Sequence, residues 1–101
     1  MAVTAFCAVL AAVLAMTQAV MARHRAGGAA DLAALAAADH ALQGEGVACG
    51  LGRKVAEAQG AHVVGCVVQG EIAEVMAEAR AGPYAVRVRS RAGPAGYPPP
   101  G

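Results

Sequence analysis

The sequence predicts an α+β fold with a long N-terminal helix, a short second helix and a small antiparallel sheet of two or three strands. Residues 1–22 carry no charged side chain, and residues 22–42 are dominated by alanine, which has the highest intrinsic helix propensity. Residues 84–91 alternate between apolar side chains and arginines, the pattern of a strand with one buried face. A chain of 101 residues allows one small domain.

The apolar segment at residues 1–22 is long enough to cross a bilayer. At about 1.5 Å per residue it extends about 33 Å, against a hydrocarbon core of about 30 Å. We therefore expect a single transmembrane segment over residues 1–22. The alternative is a secretory signal peptide cleaved near Ala22, with Val20 and Ala22 as the small residues before the cleavage site. The length of the segment and the lack of a preceding basic residue favour the uncleaved anchor.

Residues 23–43 are expected to continue the same helix beyond the membrane. Leu32, Leu35 and Leu42 recur at helical spacing, and a second row of small side chains permits close approach of another helix. This row, our candidate for helix packing, consists of Ala29, Ala33, Ala37 and Ala41. A coding sequence rich in G and C explains the same alanines equally well. The Gly27–Gly28 pair predicts a bend at the membrane surface, because each glycine disfavours a helix.

Residues 44–91 are expected to form a small α+β head. Residues 47–59 read as the second helix and residues 61–68 as a strand, followed by a tight turn at Gln69 and Gly70. Residues 71–79 fit a helix or a strand, and the hairpin context favours the strand. The third strand covers residues 84–91, and the glycines and prolines of residues 92–101 predict a disordered tail.

Cys49 and Cys66 are the informative cysteines, because Cys7 lies in the apolar segment as a small apolar side chain. A helix packed against its own strand would bring the pair together, so we expect a disulfide that adds roughly 3 kcal/mol to the stability of a thin core. Two unpaired buried thiols are the first alternative. A metal site is the second, with His62 and either His24 or His40, but the spacing lacks a zinc signature.

Charge and motif content argue against nucleic-acid binding and catalysis. A net charge of +1 gives no electrostatic footprint for nucleic acid. The sequence has no hydrolase, phosphate-loop or dinucleotide motif, and Glu71, Glu74 and Glu78 resemble a solvated stripe, so we expect neither an enzyme nor a cofactor. The three arginines of residues 87–91 would share one face of a strand, as a solvated face or as a site for an anionic partner.

An ordered series of motifs resembles the TadE-like proteins (Flp pilus assembly, TadE/G-like). Arg-His-Arg at residues 23–25 precedes AADLAALAAA at residues 29–38, and Cys49, HVVGC ending at Cys66, and Ala-Gly-Pro at residues 92–94 follow. The series is most similar to a short actinobacterial subfamily from helicase and secretion gene neighbourhoods. The resemblance covers most of residues 1–94.

The resemblance implies a non-enzymatic, membrane-anchored accessory component of a Tad/Flp-type pilus or secretion system. Its implied partners are the lipid bilayer and other membrane subunits of that machine, with the head on the extracytoplasmic side. Arg23 and Arg25 follow the apolar segment, and the positive-inside rule by itself would place the head in the cytoplasm. Two alternatives therefore stay open: a small secreted ligand or effector, and a cytoplasm-facing regulator whose cysteines remain reactive.

Overall fold

The structure, a computed structural model, describes residues 1–94 and has the predicted α+β architecture. Three antiparallel strands form one sheet in the order β1-β2-β3, and two helices cover one of its faces. The elements are α1 (Ala2–Asp39), a short 3-10 helix (Ala41–Gln43), α2 (Glu45–Ala58), β1 (His62–Gln69), β2 (Ile72–Ala81) and β3 (Tyr84–Ala92).

The ambiguous segment at residues 71–79 belongs to strand β2, as the hairpin context indicated. Glycines form both hairpin turns, with φ of 60° at Gly70 and at Gly82, a region that other residues rarely adopt. Strand β1 contains a bulge at Val64, where the register to β2 shifts between Val63 and Gly65. Ala92, which we assigned to the tail at residues 92–101, is instead the last residue of β3. Residues 95–101 of the predicted tail lie outside the described residues.

Helix α1 is one continuous helix of 38 residues and about 57 Å, passing through Gly27 and Gly28 without interruption. The two glycines therefore do not end the helix, and the sheet lies against it there: an added Cβ at Gly27 would lie 3.9 Å from the Val88 side chain. Tertiary packing commonly overrides a local propensity of this size. The helix ends at Asp39 rather than at residue 43, and the 3-10 helix completes the segment.

The core between the helices and the sheet consists almost entirely of alanine. All its buried apolar residues except Cys49 and Val75 are alanines, and Val75 is the largest fully buried side chain. On α2 the buried face is Ala48, Cys49, Gly52 and Ala56, whereas Lys54 is exposed. Small side chains let the backbones approach closely but bury little apolar area.

The tightest approach joins α2 to α1 at Gly52. A Cβ built on Gly52 would lie 3.2 Å from the carbonyl oxygen of Ala33 and 3.7 Å from the Cβ of Ala37. Even a methyl group would therefore press on the backbone of α1. Gly50, two residues away in the same helix, has open space where its Cβ would be.

These two glycines form a matched pair for testing the packing. Gly50→Ala should raise the free energy of unfolding by up to about 1 kcal/mol, because alanine is the better helix former. Gly52→Ala should lose that gain, or destabilise the protein, because its methyl group meets the Ala33 carbonyl. Urea unfolding followed by circular dichroism measures both variants. Equal stabilisation by the two substitutions would contradict the close approach of the helices.

Candidate membrane anchor and interaction surfaces

The first part of α1 stands free of the head. Residues 1–21 are all exposed, and within the helix an 18-residue window has a mean hydropathy of 2.1 with 6% of it buried. This length and composition suffice to cross a membrane, and a signal sequence near an N-terminus would meet the same criterion. Ala22 is the first buried residue of the helix.

The β2–β3 hairpin reaches further down α1 than the boundary predicted at residue 22. The turn at Gly82 and Pro83, with Tyr84, borders a groove of about 320 Å³ whose other wall is α1. A Cβ at Gly82 would lie 3.9 Å from the side-chain oxygen of Gln18. The groove residues on α1 are Ala15, Met16, Gln18 and Ala19. The stretch of α1 free of any contact with the head is therefore shorter than 22 residues.

The distal part of the head is held by a disulfide between Cys49 on α2 and Cys66 on β1, whose Cα atoms are 6.0 Å apart. One turn earlier on α2, the Glu45 carboxylate accepts a hydrogen bond of 3.2 Å from the backbone N–H of Val68. Both links join α2 to the outer strand β1, and the second satisfies a backbone donor at the edge of the sheet. Because the two cysteines are bonded to each other, neither is available to the alternative metal site.

The candidate packing alanines of α1 face inward. Ala29, Ala33 and Ala37 are fully buried against α2 and the sheet, and Ala41 in the 3-10 helix is nearly so. The helix that approaches this row is therefore the chain's own α2. A neighbouring molecule would have to use another face of α1.

An apolar stripe follows the opposite face of α1. Leu32 is 45% exposed and Leu35 53% exposed, although both lie beside buried alanines. Three apolar residues nearer the N-terminus lie on the same side of the helix as these two leucines. Successive members of the set are four, seven, eleven and three residues apart, and each interval is close to a whole number of helical turns. The outer stripe consists of Leu10, Leu14, Met21, Leu32 and Leu35. Its spacing is visible in the sequence, but only the burial of the alanines shows that it faces outward.

The uncovered face of the sheet carries charged side chains. Arg87 donates to Glu78 at 2.7 Å, and Arg89 and Arg91 lie 3.3 and 3.5 Å from Glu74 across β2 and β3. Exposed pairs of this kind typically contribute less than about 1 kcal/mol each. The alternating arginines thus share one face, as predicted, and their charges are partly balanced by neighbouring carboxylates.

The histidines do not converge on a common site. Among residues 1–94 no group of three or more histidine, cysteine or acidic side chains is arranged to hold a metal ion. His40 contacts the carbonyl oxygen of Ala36 through Nδ1 at 2.9 Å, and His62 begins β1 on its exposed face. His24 lines a shallow groove on α1 with Arg23 and Asp31.

The first 40 residues match the Tad family model, described as Flp pilus-assembly TadE/G-like. The matched residues 1–40 include the apolar segment, Arg-His-Arg and the alanine-rich part of α1, the same stretch that carries the outer stripe. No match was found among curated proteins or among solved structures. Residues 1–40 are thus similar to the TadE/G-like family, and the similarity fits a pilus-assembly accessory role.

The disulfide provides a direct test of the head. Replacing both Cys49 and Cys66 with alanine should lower the free energy of unfolding by about 3 kcal/mol, because the unfolded chain loses the constraint of a 17-residue separation. Cys7→Ala is the matched control and should leave the stability unchanged, because Cys7 is an exposed free thiol. Urea unfolding of the detergent-solubilised chain measures both. Alkylation of Cys49 without reductant, in protein from intact cells, would contradict the bond.

Proposed function

We propose that the chain is a membrane-anchored, non-enzymatic TadE-like accessory component of a Tad/Flp-type pilus or secretion system. The observation that carries the proposal is a coincidence within one helix: the residues that match the Flp pilus-assembly family also include the candidate membrane span. The ordered motifs downstream of the match favour the short actinobacterial subfamily. In this proposal residues 1–22 form the anchor, residues 23–43 the juxtamembrane helix and residues 44–91 the head.

Two features support an extracytoplasmic head. A disulfide between Cys49 and Cys66 persists in oxidising compartments and is uncommon in the cytoplasm. The alanine core is thin, so the head gains a large share of its stability from this bond. Arg23 and Arg25 oppose this orientation through the positive-inside rule. We give the disulfide more weight, since a reducing compartment would remove the main covalent support of the head.

Packing at the base of the head argues against the secreted alternative. Cleavage near Ala22 would cut α1 at a buried residue in the middle of a continuous helix. It would also remove the wall against which Gly82, Pro83 and Tyr84 lie. A released head would therefore expose apolar surface that the intact chain covers.

We further propose that the outer stripe of α1 is the face that meets other membrane subunits of the machine. It runs along the candidate membrane span to Met21 and resumes at Leu32 and Leu35 in the head region, with His24, Arg25 and Gly28 between them, so a neighbouring helix could contact it in both environments. The alanine row is unavailable for this role because it packs against α2. In lipid, the stripe would associate through side-chain packing rather than through the hydrophobic effect.

Site-specific photocrosslinking in the source cell tests this function. A photoreactive residue in place of Leu32 should crosslink to another TadE/G-like or pilus-assembly membrane subunit, identified by mass spectrometry, because that position faces a neighbour. The control replaces Val64 on β1, which is 45% exposed like Leu32 but lies on the sheet. The crosslinked material should sediment with membranes and retain an intact N-terminus.

Three outcomes would contradict the proposal. Equal crosslinking from positions 32 and 64 would show that the outer stripe is not the face that contacts other subunits. Crosslinks from position 32 only to proteins unrelated to pilus assembly or secretion would contradict the role as a pilus or secretion accessory component. A mature species that begins near Arg23 in the medium would favour the secreted alternative.

A further inference from the structure

The β2–β3 hairpin runs beside α1 toward its N-terminal, apolar end. Ser90 donates a hydrogen bond to the Asp31 carboxylate, Val88 lies next to Gly27, and Tyr84 and Met16 line the same groove. From Ser90 to Tyr84 a strand covers about 20 Å, and from Asp31 to Met16 a helix covers about 22 Å. The two distances agree, so the tip of the hairpin lies level with the fourth to fifth turns of α1.

The hairpin extends below the rest of the head. The α2–β1 connection ends at Gly60, where an added Cβ would lie 3.3 Å from Cδ of Arg25. The tip at Gly82 is level with Gln18, seven residues or about 10 Å closer to the N-terminus of α1. An interfacial layer of headgroups is about 5–8 Å thick on each side of a bilayer. If Arg25 lies among the headgroups, the tip reaches the boundary with the hydrocarbon.

The composition of the tip suits that depth. Residues 81–86 are Ala-Gly-Pro-Tyr-Ala-Val and carry no charge. Tyr84 is 74% exposed, the only aromatic ring among residues 81–94 that the structure describes, and tyrosine is enriched at membrane–water interfaces. The flanking arginines, Arg80 on β2 and Arg87 on β3, can extend toward phosphates while their hydrocarbon stems cover apolar surface.

Exposed basic side chains lie between the tip and the rest of the head, further along α1 and β2. Arg23 and Arg25 on α1 and Arg80 on β2 are exposed and form no ion pair within residues 1–94, whereas Arg87 pairs with Glu78. An arginine close to an anionic membrane surface contributes about 1 kcal/mol of attraction. An apolar tip with basic side chains behind it is complementary to an anionic lipid surface. Exposed backbone groups of the turn keep it at the interface, since they cannot be buried in hydrocarbon unpaired.

We propose that the hairpin tip, residues 81–85, is a second membrane contact of this protein and inserts at the interface of an anionic lipid leaflet beside α1. The inference rests on the membrane anchor in the proposed function and adds a lipid-binding role for the head. Because the head is packed along α1, two membrane contacts, the helix and the tip, restrict rotation of the whole molecule about the axis of α1. The outer stripe is thereby presented to neighbours in one orientation.

Tryptophan depth measurements test the proposal, because the chain contains no natural tryptophan. The full chain carrying Tyr84→Trp is reconstituted into vesicles of equal parts phosphatidylcholine and phosphatidylglycerol. Lipids brominated near the headgroup should quench its emission, and acrylamide should quench it about threefold less than a water-exposed site, because interfacial side chains are shielded. Leu42→Trp, 83% exposed at the far end of the head, is the water-exposed reference. Leu10→Trp, measured with lipids brominated deep in the acyl chain, reports on the anchor.

The three sites separate the possible failures. If Tyr84→Trp is as accessible to acrylamide as Leu42→Trp while brominated lipid quenches Leu10→Trp, the tip proposal is wrong and the anchor stands. If brominated lipid also fails to quench Leu10→Trp, the anchor is wrong and the tip proposal falls with it. Shielding of Tyr84→Trp from acrylamide without quenching by brominated lipid would assign the tip to a protein contact, such as a second copy, and would also overturn the proposal.

Discussion

The structure depends on the close approach of backbones that alanine and glycine permit. Gly52 meets the Ala33 carbonyl of α1, and the alanines of β2 lie against the same helix. Larger side chains at these positions would force the layers apart, because interiors are already packed without space for extra atoms. The head is therefore attached along α1 as one unit rather than joined to it by a flexible connection. This attachment determines where the hairpin tip lies along α1 and which face of α1, the outer stripe, remains exposed.

A core of this composition has an energetic consequence. An alanine loses no side-chain conformational entropy when it is buried, but it removes little apolar area from water. The disulfide and the packing of α1 supply what larger side chains provide in most domains of this size. The stability of the head therefore depends on its compartment, because a reducing environment would break the disulfide and weaken the head. The proposed extracytoplasmic position of the head agrees with this dependence.

Local patterns predicted the elements of the fold well. Alanine propensity indicated α1, alternating arginines indicated β3, and Gly70 indicated the first hairpin turn. The direction of the alanine row could not be predicted, because the same spacing serves a neighbouring subunit or the chain's own α2. The sequence also could not predict that Tyr84 lies level with Met16, because this depends on the registers among α1, β2 and β3 rather than on any short motif. Likewise, the weak helix propensity of the glycine pair in α1 did not reveal that Val88 lies beside Gly27 and that the helix continues through both residues.

The attachment of the head along α1 can be measured by pulsed electron spin resonance in a Cys7→Ala background. Spin labels at Met16→Cys and Tyr84→Cys should give a short and narrow distance distribution, because these residues line one groove. Labels at Met16→Cys and Glu71→Cys should be about 33 Å apart along the helix, because Glu71 lies beside Ala38, 22 residues further on. Broad, overlapping distributions for the two pairs would show a head that moves freely relative to α1 and would contradict the account.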